Sequence, residues 1–166
     1  ITAMIRVQQY EEGKYLTMVT ANGIIKRTAL EEYNTARKAG VRGIVLEEGD
    51  ELVRVRLTDN TKHVIICTLK GNAIRFDEND ARPLGRVSHG VKAITLEKGD
   101  KVIGMSVVRE GAKLLTVTEN GFGKRTDLDE YRIQHRGGKG LINHKITDKT
   151  GLVAGIKIVD EDDDIL

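Results

Sequence analysis

The sequence predicts an all-β protein built as a propeller-like array of four-stranded blades, and three observations carry that prediction. First, one phrase recurs. Tyr15-Leu16-Thr17-Met18-Val19-Thr20-Ala21-Asn22-Gly23-Ile24-Ile25-Lys26-Arg27-Thr28 returns as Lys113-Leu114-Leu115-Thr116-Val117-Thr118-Glu119-Asn120-Gly121-Phe122-Gly123-Lys124-Arg125-Thr126, with a looser copy over His63 to Phe76. Second, the turn glycines Gly23, Gly71 and Gly121 lie 48 and 50 residues apart, each followed four residues later by an arginine, Arg27, Arg75 or Arg125. Third, four strand signals fall within each period, which is blade spacing.

Each unit opens with an apolar, β-branched strand that runs into Asn-Gly or Lys-Gly, where glycine permits the positive φ of a tight hairpin, and a shorter strand follows. A charged connector comes next, Leu30-Glu31-Glu32-Tyr33 or Leu128-Asp129-Glu130-Tyr131, too short for a free helix. A glycine-bearing basic loop then leads to third strands at Val41 to Leu46, Val91 to Leu96 and Leu141 to Ile146. The turns Gly49-Asp50, Gly99-Asp100 and Thr150-Gly151 open alternating fourth strands at Leu52 to Leu57, Val102 to Val107 and Leu152 to Ile158. Ile1 to Val7 reads as the fourth strand of a preceding unit, and Asp164-Ile165-Leu166 as the start of a following one. The expected organisation is therefore the end of a blade at 1–14, blades at 15–58, 63–108 and 113–159, and the start of another at 160–166. Sheet edges exposed by such a cut invite neighbouring blades or self-association of the chain.

Composition narrows the function classes. Aromatics are 4% and Trp is absent, which argues against Trp-based propeller motifs and against stacking platforms for single strands. The lone Cys67 sits in the apolar run Val64-Ile65-Ile66-Cys67 and reads as a buried strand residue. No apolar run reaches membrane-spanning length, so no membrane partner is expected and a reducing cytoplasmic setting is the default. The net charge of +2 conceals a segregation: of 25 acids, five form Asp160-Glu161-Asp162-Asp163-Asp164, leaving residues 1–159 with 27 cations against 20 acids. A basic body of this kind suits a polyanion.

The cations recur at one phase of the repeat. Tyr33 to Leu46 contains no acid and holds Arg37, Lys38 and Arg42; Ala81 to Leu96 contains none and holds Arg82, Arg86 and Lys92; Tyr131 to Thr147 contains none and holds Arg132, Arg136, Lys139 and Lys145. Stacked blades would join these cations in one stripe, to which Arg27, Arg75, Lys124 and Arg125 are candidate additions. The loop Gln134-His135-Arg136-Gly137-Gly138-Lys139-Gly140 is the densest of them. Its glycines would let the main chain approach a ligand and offer N–H groups to phosphate, beside the donors of Arg136 and Lys139. It is not a nucleotide P-loop, because Gly140 rather than Ser or Thr follows Lys139 and no helix begins there. Cations on flexible loops suit duplex backbone better than base edges, and no recognition helix or metal finger is present to enter a groove.

Signals for an enzyme are weak. His63, His89, His135 and His144 lack metal-ligand spacing, the carboxylates sit in turns and connectors, and Tyr10, Tyr15, Tyr33 and Tyr131 lie in connectors or strand starts. No cofactor or metal is expected. A protein-interaction propeller would call for a Trp-Asp signature or an aromatic face, and a propeller enzyme for carboxylates converging on a central funnel.

At these residues the chain resembles the C-terminal DNA-wrapping domain of the DNA gyrase A subunit. The family's box reads Gln-Arg-Arg-Gly-Gly-Lys-Gly; Gln134, Arg136, Gly137, Gly138, Lys139 and Gly140 match it, and His135 stands where Arg is usual. The phrases Thr20-Ala21-Asn22-Gly23 and Asn120 to Thr126 extend the resemblance over essentially the whole chain. It implies a β-pinwheel of six blades that exchange strands, a rim around which duplex DNA bends, and a place beside the gyrase B subunit in an A2B2 holoenzyme on the nucleoid. The family's box lies in its first blade, whereas this one sits in the last complete unit, so the resemblance implies middle-to-late blades with a secondary box. The transesterifying tyrosine belongs to the family's N-terminal region and is not in this chain. The topoisomerase IV counterpart carries similar blades, usually with a degenerate box, so the well-kept copy favours gyrase.

Overall fold

A computed structural model describes residues 2–164. Its strands are β1 (Tyr15–Thr20), β2 (Ile24–Ala29), β3 (Leu52–Thr58), β4 (His63–Thr68), β5 (Asn72–Asp77), β6 (Val91–Lys92), β7 (Val102–Val107), β8 (Lys113–Thr118), β9 (Gly123–Asp127), β10 (Leu141–Ile142) and β11 (Val153–Val159). They form antiparallel sheets in the orders β3-β1-β2-β6, β10-β5-β4-β7 and β11-β8-β9. The fold is the expected all-β pinwheel. The third strand of each later unit crosses to the unit before it: β6 pairs with β2, and β10 with β5.

Local chemistry sets the hairpins. Gly23, Gly71 and Gly121 take φ of 85°, 92° and 84°, and each donates its N–H to the carbonyl of Thr20, Thr68 or Thr118 at 3.1 Å. The hydroxyls of the same threonines accept from Ile24, Asn72 and Phe122 N–H, closing each turn twice. Asp50 Oδ1 accepts from the N–H groups of Asn22 and Glu51, and Asp100 Oδ1 from those of Lys70 and Lys101, tying each fourth strand to its hairpin. The third unit has no aspartate there. Asn120 Nδ2 instead donates to the carbonyls of Asp148 and Lys149, and Glu119 Oε2 accepts from Leu152 N–H.

The core lies between sheets. Val19, Ile25, Val64, Ile66, Ile74, Phe76 and Met105 join the first two units, and Ile65, Cys67, Ala73, Leu114, Leu128 and Tyr131 join the last two. Strand β4 therefore buries both faces, Val64 and Ile66 on one side and Ile65 and Cys67 on the other, which accounts for its unbroken apolar run. Burial pushes the Cys67 thiol up to about 12.

Three expectations are corrected. Strand pairing at the third positions shrinks to Val91–Lys92 and Leu141–Ile142, and residues 41–46 form no strand. Pairing stops after two residues because the partner strand runs into its own hairpin turn, where the N–H groups of Ala93 and Ile94 both reach Gly23 O and those of Asn143 and His144 both reach Gly71 O. The third sheet has three strands rather than four, since β9 has no strand on its far side among the described residues. Residues 2–7 form no strand, and the expectations for Ile1, Ile165 and Leu166 fall outside the described residues.

Exchange requires close backbone approach. A Cβ on Gly140 (φ 77°) would overlap the carbonyl oxygen of Ala73, whereas Gly40 (φ 84°), two repeats earlier, has open space around it. Both substitutions to Ala carry the positive-φ penalty of about 1 kcal/mol, but only Gly140→Ala adds a backbone clash. Gly140→Ala is expected to lower unfolding free energy by about 1–3 kcal/mol more than Gly40→Ala in denaturant titrations.

Candidate nucleic-acid interface

The basic loops form straps that cross the outer ends of the sheets. Leu84 N–H donates to Arg27 O and Gln134 N–H to Arg75 O, both at 2.8 Å, so the second and third straps dock on the preceding unit in the same way. Arg86 N–H reaches Glu32 Oε1 and Arg136 N–H reaches Asp80 Oδ2, each at 3.3 Å. The guanidinium Nη1 of Arg86 donates to Arg42 O, and that of Arg136 to Lys92 O. Neighbouring straps also bond directly. Val45 N–H donates to Ser88 O, Thr95 N–H to Gly138 O, and Gly137 N–H to Ala93 O. Residues 34–46, 82–95 and 132–145 thus make one continuous layer.

Within that layer the sequence-predicted residues divide. Arg37, Lys38, Arg42, Arg82, Lys92, Arg132, Lys139 and Lys145 are exposed on the three straps. Arg86, Gln134, Arg136, Gly137 and Gly140 are half-buried and hold the straps together, while Gly138 is exposed. The reading of the glycine box as a phosphate cradle is corrected for Gln134, Arg136 and Gly137, whose N–H groups are spent on Arg75, Asp80 and Ala93. Gly137 takes φ of 90° to make that turn. Gln134 Oε1 is buried without a hydrogen-bond partner among the described residues. His135 projects outward, with Nδ1 3.5 Å from Asp80 Oδ2.

The three equivalent arginines meet three fates. Arg27 is corrected outright: its side chain is 1% exposed and its Nη1 lies 2.6 Å from Glu78 Oε1, itself fully buried. Arg27 Nε donates to Ala81 O and the guanidinium stacks 4.7 Å over the Tyr15 ring. The ion pair with Glu78 and the bonds from Nε and Nη1 offset the cost of burying this charge. Arg75 is half-buried, with Nε donating to His63 Nδ1 at 3.3 Å and Nη1 to Leu128 O at 2.9 Å. Arg125 is exposed and reaches Glu161 O and Oε1. Lys124 is exposed, with Nζ donating to Asn143 O at 2.9 Å.

Sequence reasoning missed the groups that anchor this surface. Lys26 is buried, and its ammonium donates to Gly43 O and Arg86 O, gripping two straps at once. Burial lowers its pKa to about 8. The phenol of Tyr33 donates to Gly43 O, and that of Tyr131 to Asn143 Oδ1, with burial pushing Tyr131 up to about 12. Glu78 accepts from Arg27 and from the N–H groups of Asn60 and Lys62. One signal was available for it: Glu78 stands where the other units carry Leu30 and Leu128.

Hairpins that borrow a strand from the next unit, roofed by a hydrogen-bonded basic layer, define a β-pinwheel of the propeller class. The family profile described as "DNA gyrase C-terminal domain, beta-propeller" matches residues 14–59, 62–109 and 112–160, and the chain belongs to that family. It is 43% identical over 166 residues to the DNA gyrase A protein of Escherichia coli K12, covering 100% of this chain and 19% of that one. To the Helicobacter pylori gyrase A protein it is 43% identical over 164 residues, covering 98% of this chain and 20% of the relative. The chain therefore spans about a fifth of the length of these relatives. Among solved structures it is similar to the C-terminal domain of DNA topoisomerase IV, with TM-score 0.89 at 26% identity over 95% of this chain and 50% of that one. Against the DNA gyrase A C-terminal domain the TM-score is 0.84 at 31% identity, over 94% and 52%.

The buried pair allows a direct check. Glu78→Ala leaves Arg27 charged and unpaired in the wall between two units, and is expected to cost about 3–5 kcal/mol of stability in denaturant titrations. Glu161→Ala, which frees Lys113 and the exposed Arg125, is expected to cost less than about 1 kcal/mol.

Proposed function

We propose that the strap layer binds duplex DNA through its phosphates, with little sequence preference, and that the duplex bends around this rim. The observation that carries the reading is the continuous layer with Arg37, Lys38, Arg42, Arg82, Lys92, Arg132, Lys139 and Lys145 exposed on it. Arg86 and Arg136 serve it as positioning residues, Lys124 and Arg125 extend it toward β9, and Arg75 adds charge from the joint between units. Bending 20 to 30 base pairs costs about 1–6 kcal/mol, so many distributed phosphate contacts are needed to offset it. Exposed lysines and arginines on several units meet that need better than one deep pocket.

In this reading the chain performs no chemistry. Its part is to set the path of a DNA segment for a type II topoisomerase whose other regions, with the gyrase B subunit in an A2B2 complex on the bacterial nucleoid, pass strands at the expense of ATP. The wrapped path would bias that enzyme toward negative supercoiling. The TM-score of 0.89 supports a second reading, the equivalent domain of topoisomerase IV. The matched box at Gln134 to Gly140 and the gyrase A relatives favour gyrase.

Salt dependence tests the proposal. With about six phosphates neutralised, log K is expected to fall against log salt with a slope of about −5, and Arg132→Ala/Lys139→Ala/Lys145→Ala is expected to reduce that slope by about 3. These side chains are exposed, so each substitution should change stability by less than about 0.5 kcal/mol. Salt-insensitive binding, or an unchanged slope in the triple variant, would overturn the reading.

A further inference from the structure

The edges of the sheets opposite the straps carry a second set of cations. Strands β3, β7 and β11 form those edges and pack side by side; a Cβ on Gly104 of β7 would meet Ile156 Cγ1 of β11 at 2.8 Å. Arg54 and Arg56, two residues apart on β3, share a face and are half-buried. With Lys62, Arg109 and Lys157 they line a cavity of about 750 Å³, and Glu110 is the one acid among its lining residues.

Pairing inside the fold leaves much of this charge unanswered. Arg109 is bound to Asp160 and Lys62 lies 3.7 Å from Asp59, but no ion pair among the described residues reaches Arg54, Arg56 or Lys157. Arg56 Nη1 donates to the carbonyl of Val55. The two guanidinium groups start from Cα atoms about 7 Å apart, so they repel one another in a half-buried setting. Burial and the Arg54 charge both lower the Arg56 pKa. An anion seated between them removes that repulsion and uses their free donors.

We propose that this inner cavity binds a compact oligophosphate, held by the forks of Arg54 and Arg56 with Lys62 and Lys157 closing on its outer oxygens. Planar guanidinium groups match phosphate oxygens in pairs. The volume lies in the range of small-ligand sites, about 300–1,000 Å³, and exceeds what one phosphate group fills. A duplex on the straps does not reach this site, because strap and inner edge are separated by the width of a four-stranded sheet, about 14 Å. The proposal is independent of the DNA reading.

Calorimetric titration of the intact protein with sodium tripolyphosphate tests it. One saturable site is expected, weakened at least about tenfold by Arg54→Ala/Arg56→Ala, the loss of one or two charge-assisted hydrogen bonds. The triple strap variant is expected to bind tripolyphosphate as the parent does. Arg54→Lys/Arg56→Lys keeps the charge and the packed stems while removing the forks, and is expected to weaken binding severalfold with the fold retained. ATP titrated in parallel separates the sources: tighter binding than tripolyphosphate assigns the site to a nucleotide, and equal or weaker binding to an inorganic oligophosphate. Affinity unchanged in both arginine-pair variants, or lost in the strap variant, would overturn the proposal.

Discussion

The rest of the structure depends on contact between glycine and carbonyl where one unit enters the next. A Cβ on Gly90 would overlap Ile25 O, one on Gly140 would overlap Ala73 O, and one on Gly71 would overlap His144 O. These contacts let β6 and β10 pair with the preceding hairpins, and that pairing brings the straps alongside one another. Gly121, at the turn of the third hairpin, keeps the same φ with open space around it, so turn geometry belongs to the hairpin and the tight fit to the neighbour. Exchange thus joins the sequence repeats into one layer, because the seats of β6 and β10 are each made by two units.

That layer separates the work of backbone from that of side chains. Strap N–H groups close the joints between units, and arginine side chains at Arg86 and Arg136 stitch one strap to the next. Lysines and arginines with no side-chain partner among the described residues are exposed on these straps. Below the layer the charges are of a different kind: Arg27, held by Glu78, Asn60 and Ala81, and Lys26, held by two carbonyls, are interior groups with several hydrogen bonds each. Their cost in desolvation is offset by that pairing, and Arg27 with Glu78 couples the first two units.

Much of this was legible in the sequence. The Asn-Gly and Lys-Gly turns, the fourth strands and the basic phase of the repeat all follow from local chemistry, which each unit contains in full. The third strands were less so, since β6 and β10 are defined by a partner in another unit and end where that partner runs into its hairpin turn. Arg27, Arg75 and Arg125 were indistinguishable by position, and their surroundings differ because Glu78 replaces a leucine in one joint while Glu161 approaches from the acidic segment in another. The strap cations were found from composition alone, but the backbone role of the glycine box was not, because a glycine admits a ligand or a neighbouring strand equally well.

The central claim is that strap amides belong to the joints and strap side chains to the ligand. Amide hydrogen exchange at Gln134 and Gly137, measured with and without duplex DNA, tests it most directly. The structure predicts slow exchange in the free protein, held by Arg75 O and Ala93 O, with no further slowing when duplex is added. Fast exchange in the free protein that becomes slow only with duplex would show that these amides serve the phosphates, and would contradict the account.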